Sequence, residues 1–463
     1  MSQPIREQLK VAEEHAVLVH VHLPGAWVDA RDPLYELRAL AETAGAKVVG
    51  ELMQRLRKPN GRTYLGKGKV EELVELVRVT EATLVIFDND LAPSQIRRLE
   101  ESLKVKIIDR SELILDIFAR RATTRAAKLQ VEIAQVEYVY PRLRAMWSHL
   151  ERVAGGSPVG IGTRGPGEQQ LEIDRRLAQT RLRQLKRELE GIQTRTAREV
   201  DERNERHFTV GLVGYTNAGK STLFNTLTAG GAFAHDQLFA TLSTRVEAWD
   251  LGRGENVMLS DTVGFIRELP HHLVASFRST LEEAIDAQLL LIVLDAADET
   301  RMMQLDTVRR TLDDIGATRQ PRLVLLNKID RLENRDDLLL LFNRVPDAIA
   351  ISAVTGEGLD ELADRVREFR VGGIREVTLT LPARAGRAID FLEKRAEVLE
   401  RSWEGDQMTL RCRAGRVHLE QAATMESGIR TGGLPVSEAV RLLWPSDPPP
   451  PLAEPPHRRV SAT

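Results

Sequence analysis

Short β-type runs alternate with helix-period stretches at the start of the chain. Val17-Leu-Val-His-Val21, Lys47-Val-Val-Gly50, Thr83-Leu-Val-Ile-Phe87 and Val105-Lys-Ile-Ile108 are separated by helical patterns opening at Pro33, near Lys69 and at Pro93. The alternation predicts a small α/β domain with a largely parallel sheet over residues 1–110. From Ser111 the period lengthens. Phe118, Ala122, Ala126, Leu129, Ile133, Val136 and Tyr140, three or four apart, predict one long helix, and Leu171, Ala178, Leu185 and Ile192, seven apart with Leu182 and Leu189 on the next row, predict a second. The two stripes can pair as an antiparallel hairpin, an arm over residues 111–206. Between them Gly155 to Gly167 holds six glycines, two prolines and Arg164, so residues 154–167 read as a projecting, flexible loop.

Strand patterns resume at Phe208-Thr-Val-Gly-Leu-Val213 and recur at Leu289 to Leu294, Leu323 to Leu326 and Ala348 to Ile351. They predict an α/β domain over 207–372 with a mixed, mostly parallel sheet between helices. A smaller α/β module follows over 373–444, with strands at Val377 to Leu381 and Met408 to Cys412 and a helix from Ala388 to Leu399. Residues 445–463 carry seven prolines and few core-forming side chains, the composition of a disordered tail.

The strand ending at Val213 runs into Gly214-Tyr215-Thr216-Asn217-Ala218-Gly219-Lys220-Ser221 and then a helical pattern. Strand, glycine-rich turn and helix are what a phosphate-binding loop requires. Its glycines let backbone N–H groups close around phosphates, and the helix N-terminus adds favourable dipole charge. Lys220 can reach the β/γ oxygens and Ser221 can ligate Mg²⁺. Downstream, a strand runs straight into Asn327-Lys328-Ile329-Asp330. A carboxylate at the last position takes two hydrogen bonds from guanine and none from adenine, which points to GTP and GDP rather than ATP. Ser352-Ala353-Val354 follows the next strand and suits the loop that meets the guanine O6.

Between these motifs lies Asp261-Thr262-Val263-Gly264-Phe265. Asp261 fits the second carboxylate of the magnesium site, and Gly264 offers a backbone N–H that a γ-phosphate would satisfy. In the stretch Phe239-Ala240-Thr241-Leu242-Ser243, Thr241 is the candidate hydroxyl that closes over Mg²⁺, with Thr244 as an outsider. Lys220, Thr241, Gly264 and Asn217 are thus the residues expected to carry hydrolysis, with Ser221, Thr241 and Asp261 holding the metal. Phe265 stands where many GTPases place a water-orienting glutamine, so intrinsic turnover should be slow until a partner supplies the geometry. Asn217 has two readings of equal weight: a ligand for a monovalent cation such as K⁺ between the phosphates, or a residue tolerated in a tight turn.

Composition bounds the setting. The 463 residues allow about two to four domains. The lone Cys412 excludes an intramolecular disulfide framework, no signal-peptide pattern opens the chain, and the apolar run at Leu289 to Leu294 is too short to span a bilayer. A cytoplasmic monomer is expected. The net charge of −3 is unevenly spread, with 14 Lys and Arg against 6 Asp and Glu over residues 119–187. The basic arm, tipped by Gly and Arg164 and flanked by Arg152, Arg175 and Arg176, suits a polyanion, with RNA backbone the obvious candidate and DNA not expected. Gly66-Lys-Gly-Lys69 could touch a phosphate or RNA, but lysines at a helix start after a glycine are more often only solvated. His271 and His272 read as helix-start residues, having no other ligands at metal spacing.

With these residues in view the chain resembles the HflX family of ribosome-associated GTPases. The most specific stretches are Gly160-Ile-Gly-Thr-Arg-Gly-Pro-Gly-Glu168 with Leu171-Glu-Ile-Asp-Arg-Arg176, and Asp261-Thr-Val-Gly-Phe-Ile-Arg-Glu-Leu-Pro-His271. The resemblance implies an N-terminal domain and arm that dock on the large ribosomal subunit, GTP hydrolysis to GDP and phosphate, and ribosome splitting or rescue under stress. It carries nucleotide roles onto Gly214 to Ser221, Thr241, Asp261 to Gly264, Asn327 to Asp330 and Ser352-Ala353. The switch loop departs from the family pattern, with Ser243 where an Asp is typical. A switch acting on a protein or membrane complex, or an RNA-remodelling subunit, are the other classes the motifs leave open.

Overall fold

The computed structural model describes residues 14–25, 32–138, 166–228, 244–252, 254–267, 286–318, 320–332, 334 and 336–444. The chain divides into two units, Met1–Trp249 with Val257–Leu359, and Asp250–Asn256 with Asp360–Thr463.

The first unit begins with strands β1 (His15–His22), β2 (Lys47–Arg55), β3 (Leu84–Phe87) and β4 (Lys106–Asp109), ordered β2-β1-β3-β4 and parallel throughout. Helices α1 (Tyr35–Thr43), α2 (Lys67–Val79), α3 (Pro93–Leu103) and α4 (Arg110–Arg121) connect and follow them. Ala16 to Val21 are all buried because helices cover both faces of the sheet, which explains a β1 that is apolar at every one of these positions but His20. On one face Leu37 and Leu40 of α1 meet Leu113, Ile117 and Phe118 of α4, and on the other Leu73, Val77 and Leu99 of α2 and α3 pack together. Asp109 caps α4 by accepting the Glu112 N–H at 3.0 Å.

The expected first long helix is broken. α4 stops at Arg121, Ala122 is extended, and helix resumes over residues 125–138 (α5), where Thr124 Oγ1 accepts the Ala127 N–H at 3.2 Å. Phe118 and Ala122 therefore belong to the core of the N-terminal domain, not to the arm. The second stripe is the helix α6 (Pro166–Arg206). Leu185 and Leu189 of α6 pack with Leu129 and Ile133 of α5, and the Arg125–Glu188 and Arg181–Glu132 pairs flank that seam.

A six-stranded sheet follows, ordered β10-β9-β8-β5-β7-β6, from β5 (Thr209–Gly214), β6 (Arg245–Asp250), β7 (Asn256–Asp261), β8 (Leu289–Asp295), β9 (Arg322–Asn327) and β10 (Ile349–Ala350). The pairs β5/β7, β5/β8, β8/β9 and β9/β10 are parallel. Helices α7 (Lys220–Leu227), α8 (Arg301–Asp314) and α9 (Asp336–Arg344) follow β5, β8 and β9. β8 is buried from Leu289 to Leu294, as its apolar run requires.

The second unit holds most of α10 (Leu359–Arg370), then β11 (Ile374–Pro382), α11 (Gly386–Arg395), β12 (Glu397–Glu404), β13 (Gln407–Gly415), α12 (Arg416–Met425), β14 (Arg430–Thr431), β15 (Leu434–Pro435) and α13 (Val436–Leu443). The order β12-β13-β11-β14, with β11 and β13 antiparallel at the centre, is that of a split βαβ module. The helix expected to reach Leu399 ends at Arg395 instead, and 397–404 form an edge strand exposed at every residue. Within this unit Glu255 is buried beside Arg370 at 3.0 Å, with Arg395, Arg367 and His418 within 3.7 Å.

Candidate nucleotide site and its switch

Gly214 to Ser221 form the turn from β5 into α7, with Gly219 left-handed at φ +94°. A Cβ on Gly219 would lie 2.3 Å from Asn327 Nδ2, so glycine is needed for space as well as for conformation. Asn217 is also left-handed, at φ +62°, a conformation asparagine tolerates better than most residues. That geometry accounts for the residue without a cation. Lys220 is buried and its Nζ donates to the carbonyls of Gly214 and Tyr215 at 3.2 and 3.0 Å. Burial pulls its ammonium down to about 8, opposed by Asp261.

Ser221 Oγ donates to Asp261 Oδ2 at 2.8 Å, and Asp261 is fully buried at the end of β7. The hydroxyl and the carboxylate thus meet as a hard-cation site requires, so the donor set fits Mg²⁺. Thr262 turns away, its hydroxyl donating to the Leu212 carbonyl at 2.7 Å. Gly264 lies against the phosphate loop: a Cβ there would fall 2.8 Å from Thr216 Cγ2 and 2.9 Å from Lys220 Nζ.

At the guanine end, Asn327 is buried as a brace. Its Nδ2 donates to the Ala218 carbonyl at 2.8 Å and its Oδ1 accepts the Ala353 N–H at 3.0 Å, tying the phosphate loop to the loop after β10. Lys328 donates to the Asn217 carbonyl at 2.7 Å and pairs with Asp295 at 2.8 Å. Ser352 Oγ donates to Asp330 Oδ1 at 2.6 Å, fixing the carboxylate from one side. Asp330 is exposed, Ile329 is partly buried, and Val354 is exposed. The structure therefore gathers Gly214 to Ser221, Asp261 to Gly264, Asn327 to Asp330 and Ser352-Ala353 along the C-terminal ends of β5, β7, β9 and β10, the crevice where open parallel sheets bind ligands.

Thr241 and its neighbours Phe239, Ala240, Leu242 and Ser243 lie outside the described residues, as do Arg152, Arg164, His271 and His272. Arg175 lies in α6, its side chain outside the description, and Arg176 is exposed on the same helix. Among the described residues no group of three or more His, Cys, Asp or Glu is placed to hold a metal, and no helix is long and apolar enough to cross a membrane.

Sequence reading missed the contacts on the far side of the switch. Arg267 Nη2 meets Asp88 at 2.8 Å, while Arg110 reaches Asp88 at 2.7 Å and Glu36 at 2.9 Å. His20 Nδ1 lies 2.8 Å from Asp88. Burial alone would raise the Asp88 pKa, but Arg110, His20 and Arg267 hold it well below the usual carboxylate range. Val263 and Ile266 sit in the same core as Leu37 and Ile117, so the segment after β7 is part of the N-terminal domain's packing. Only the position of Arg267 two residues after Phe265 hinted at any of this.

A phosphate loop, a hydroxyl–carboxylate pair and an Asn-Lys-Ile-Asp strand end, set on a mostly parallel sheet, define a P-loop GTPase. Residues 31–119 match the family model described as "GTP-binding GTPase N-terminal", residues 121–203 "GTP-binding GTPase Middle Region", and residues 209–328 "50S ribosome-binding GTPase". The chain is 41% identical to the GTPase HflX of Escherichia coli (strain K12) over 85% of its own length and 91% of that protein's. It is 44% identical to the GTPase HflX of Lacrimispora saccharolytica over 77% and 82% of the two lengths. Among solved structures, a GTP-binding protein from the archaeon Sulfolobus solfataricus in complex with GDP is 26% identical, with a TM-score of 0.42, 77% of this chain covered and 98% of that one. This chain belongs to the HflX family, and it is a GTP-hydrolysing enzyme.

Proposed function

We propose that this GTPase acts on the large ribosomal subunit in the cytoplasm, as a monomer, splitting or rescuing stalled ribosomes under stress. The observation that carries the proposal is the match of the GTPase domain to a family described as 50S ribosome-binding, joined in one chain to a basic arm. In this reading the arm loop expected over 154–167, of which Pro166 and Gly167 already open α6, meets ribosomal RNA together with Arg152, Arg164, Arg175 and Arg176. The loop from Gly214 to Ser221 wraps the phosphates, Lys220 neutralises the β/γ oxygens, and Gly264 N–H binds the γ-phosphate. Ser221 and Asp261, with Thr241 from the switch loop, would hold Mg²⁺, which would supply charge neutralisation at the phosphates. Asp330 and the loop at Ser352 select guanine. Phe265 supplies no group to orient water, so hydrolysis awaits the ribosome.

The test is sedimentation of the purified protein with ribosomal subunits, with and without a non-hydrolysable GTP analogue, alongside a chain whose residues 155–167 are replaced by a short linker. The parent should co-sediment with the large subunit in the GTP-like state and turn over faster on it. The shortened chain should still bind GTP, keep part of its salt-dependent ribosome affinity, and fail to split ribosomes. Equal splitting by both chains would remove the arm from the mechanism, and rapid turnover of the parent alone would remove the ribosome.

A further inference from the structure

Tyr215 is an aromatic residue inside a phosphate loop, and none of the nucleotide chemistry uses its ring or its hydroxyl. The side chain is buried and points away from the loop towards α1. Its Oη donates to Glu36 Oε1 at 2.7 Å and accepts the Arg267 main-chain N–H at 2.7 Å. Both functions of the hydroxyl are thereby used. Burial and the neighbouring Glu36 push the phenol well above its ordinary pKa, so it keeps the proton it donates.

Two further bonds tie the same segments together. Phe265 N–H donates to the Gly214 carbonyl at 3.0 Å, and Thr216 N–H donates to the Phe265 carbonyl at 2.7 Å, a one-rung parallel bridge between phosphate loop and switch. The main-chain N–H groups after Gly264 are therefore fixed at residues 265 and 267, the latter with a second, longer bond from the Arg267 N–H to Glu36 Oε1 at 3.3 Å. Arg110 also donates to the Arg267 carbonyl at 3.1 Å, and Ile266 is buried. The backbone bridge holds residue 265, and the Tyr215 hydroxyl holds residue 267. Gly264, close against Lys220, lies between buried Val263 and this short span. With the Tyr215 bond gone, the Arg267 N–H would keep only its longer bond to Glu36, itself no longer braced by the phenol, and the placement of Gly264 N–H would loosen although the Asp88 and Arg110 contacts remain.

We propose that Tyr215 is a positioning residue for the reaction: its hydroxyl, braced by Glu36, fixes the Arg267 backbone and so sets Gly264 N–H where a γ-phosphate can accept from it. The inference rests on the assignment of Gly264 to the γ-phosphate made above. It predicts a specific pattern, because GDP has no γ-phosphate and gains nothing from the placement of Gly264. Removal of the hydroxyl alone should weaken the GTP state and spare the GDP state.

The experiment compares affinities for GDP and for a non-hydrolysable GTP analogue, and single-turnover hydrolysis, in three variants of the full chain. Tyr215→Phe keeps the ring and its packing, and a melting curve checks that it folds. Its analogue affinity and single-turnover rate should each fall about tenfold, the worth of one well-placed hydrogen bond, with GDP affinity within about twofold of the parent. Arg267→Gln keeps the main-chain N–H that Tyr215 holds while removing the guanidinium, and should lower the analogue-to-GDP ratio less than Tyr215→Phe does. An unchanged or raised ratio in Tyr215→Phe overturns the proposal, and so does a ratio that collapses in Arg267→Gln alone, which would give the positioning to the ion cluster. Gly264→Ala reports on the underlying assignment. If it binds the analogue as the parent does, the γ-phosphate role of Gly264 is wrong, whatever Tyr215→Phe shows.

Discussion

The chain contains one parallel and one mostly parallel sheet with the same topological opportunity, and it uses them in opposite ways. In the six-stranded sheet β5 lies between β7 and β8, and in the four-stranded sheet β1 lies between β2 and β3. Each arrangement leaves a crevice at the carboxyl end of the inner strand, where the connections diverge. The crevice beside β5 is built from backbone N–H groups, a lysine and a hydroxyl–carboxylate pair, a set suited to a ligand that arrives and leaves. The crevice beside β1 is built from His20, Asp88 and Arg110, and what enters it is Arg267 from the chain's own switch. In the function proposed above, one crevice holds phosphate and the other holds the segment that would sense it.

The largest effect should come from the ligand crevice. Asp330→Asn removes the carboxylate that accepts from guanine and should cost roughly 10⁴-fold in guanine affinity, with xanthine nucleotides gaining, because an amide can donate to the xanthine carbonyl. Competition binding with GDP and XDP measures this, and an unaltered preference for guanine would remove Asp330 from base recognition. The second crevice should respond in stability instead. Asp88→Ala leaves Arg110 and Arg267 facing Glu36 alone, which should cost about 3 kcal/mol as a lower denaturant midpoint, while the choice of guanine over xanthine is retained. If that variant lost guanine selectivity too, the two crevices would not be separate devices.

Smaller effects sharpen the contrast. Burial pulls the Lys220 ammonium down to about 8, and phosphate binding calls on its ammonium form. Nucleotide affinity should therefore be flat below about pH 7.5 and fall above pH 8 by up to about tenfold per unit, since binding must then take up a proton. Calorimetry in buffers of different ionisation enthalpy counts that proton, and a pH-independent affinity to pH 9.5 contradicts the assignment. Exchange of Na⁺ for K⁺ tests the smallest effect. A several-fold faster hydrolysis in K⁺, abolished by Asn217→Ala, gives Asn217 a cation. Equal rates in the two salts leave it with its left-handed turn.

The ligand crevice was legible because its roles are local. A glycine beside a strand end, a lysine opening a helix and a carboxylate two residues after an Asn-Lys pair declare themselves within a few positions. The second crevice was not, because its partners are scattered: Glu36 meets Tyr215 across 179 positions and Asp88 meets Arg267 across the same span. No periodicity couples such residues. The elements follow the same division. β8 reads directly from an unbroken apolar run and β1 from one interrupted only by His20, whereas β12 has no buried position to mark its alternation and its first three residues read as the end of a helix. The break after α4 was hidden by a stripe that continues in spacing from Phe118 through Ala126, although two cores share it. Thr123 and Thr124 marked the place, and only the cap at Thr124 gives them meaning.

The side chains of Arg110 and Asp88 are 3% and 2% exposed, and Arg267 is 12% exposed, so dissolved ions have little access to the charges that join the N-terminal domain to the switch. Screening acts on charges that face water, and at 1 M salt its reach is only about 3 Å. Ionic strength is therefore a selective handle on this molecule. Concentrated salt would strip a polyanion from the exposed arginines of the arm, among them Arg176, and leave the domain junction closed.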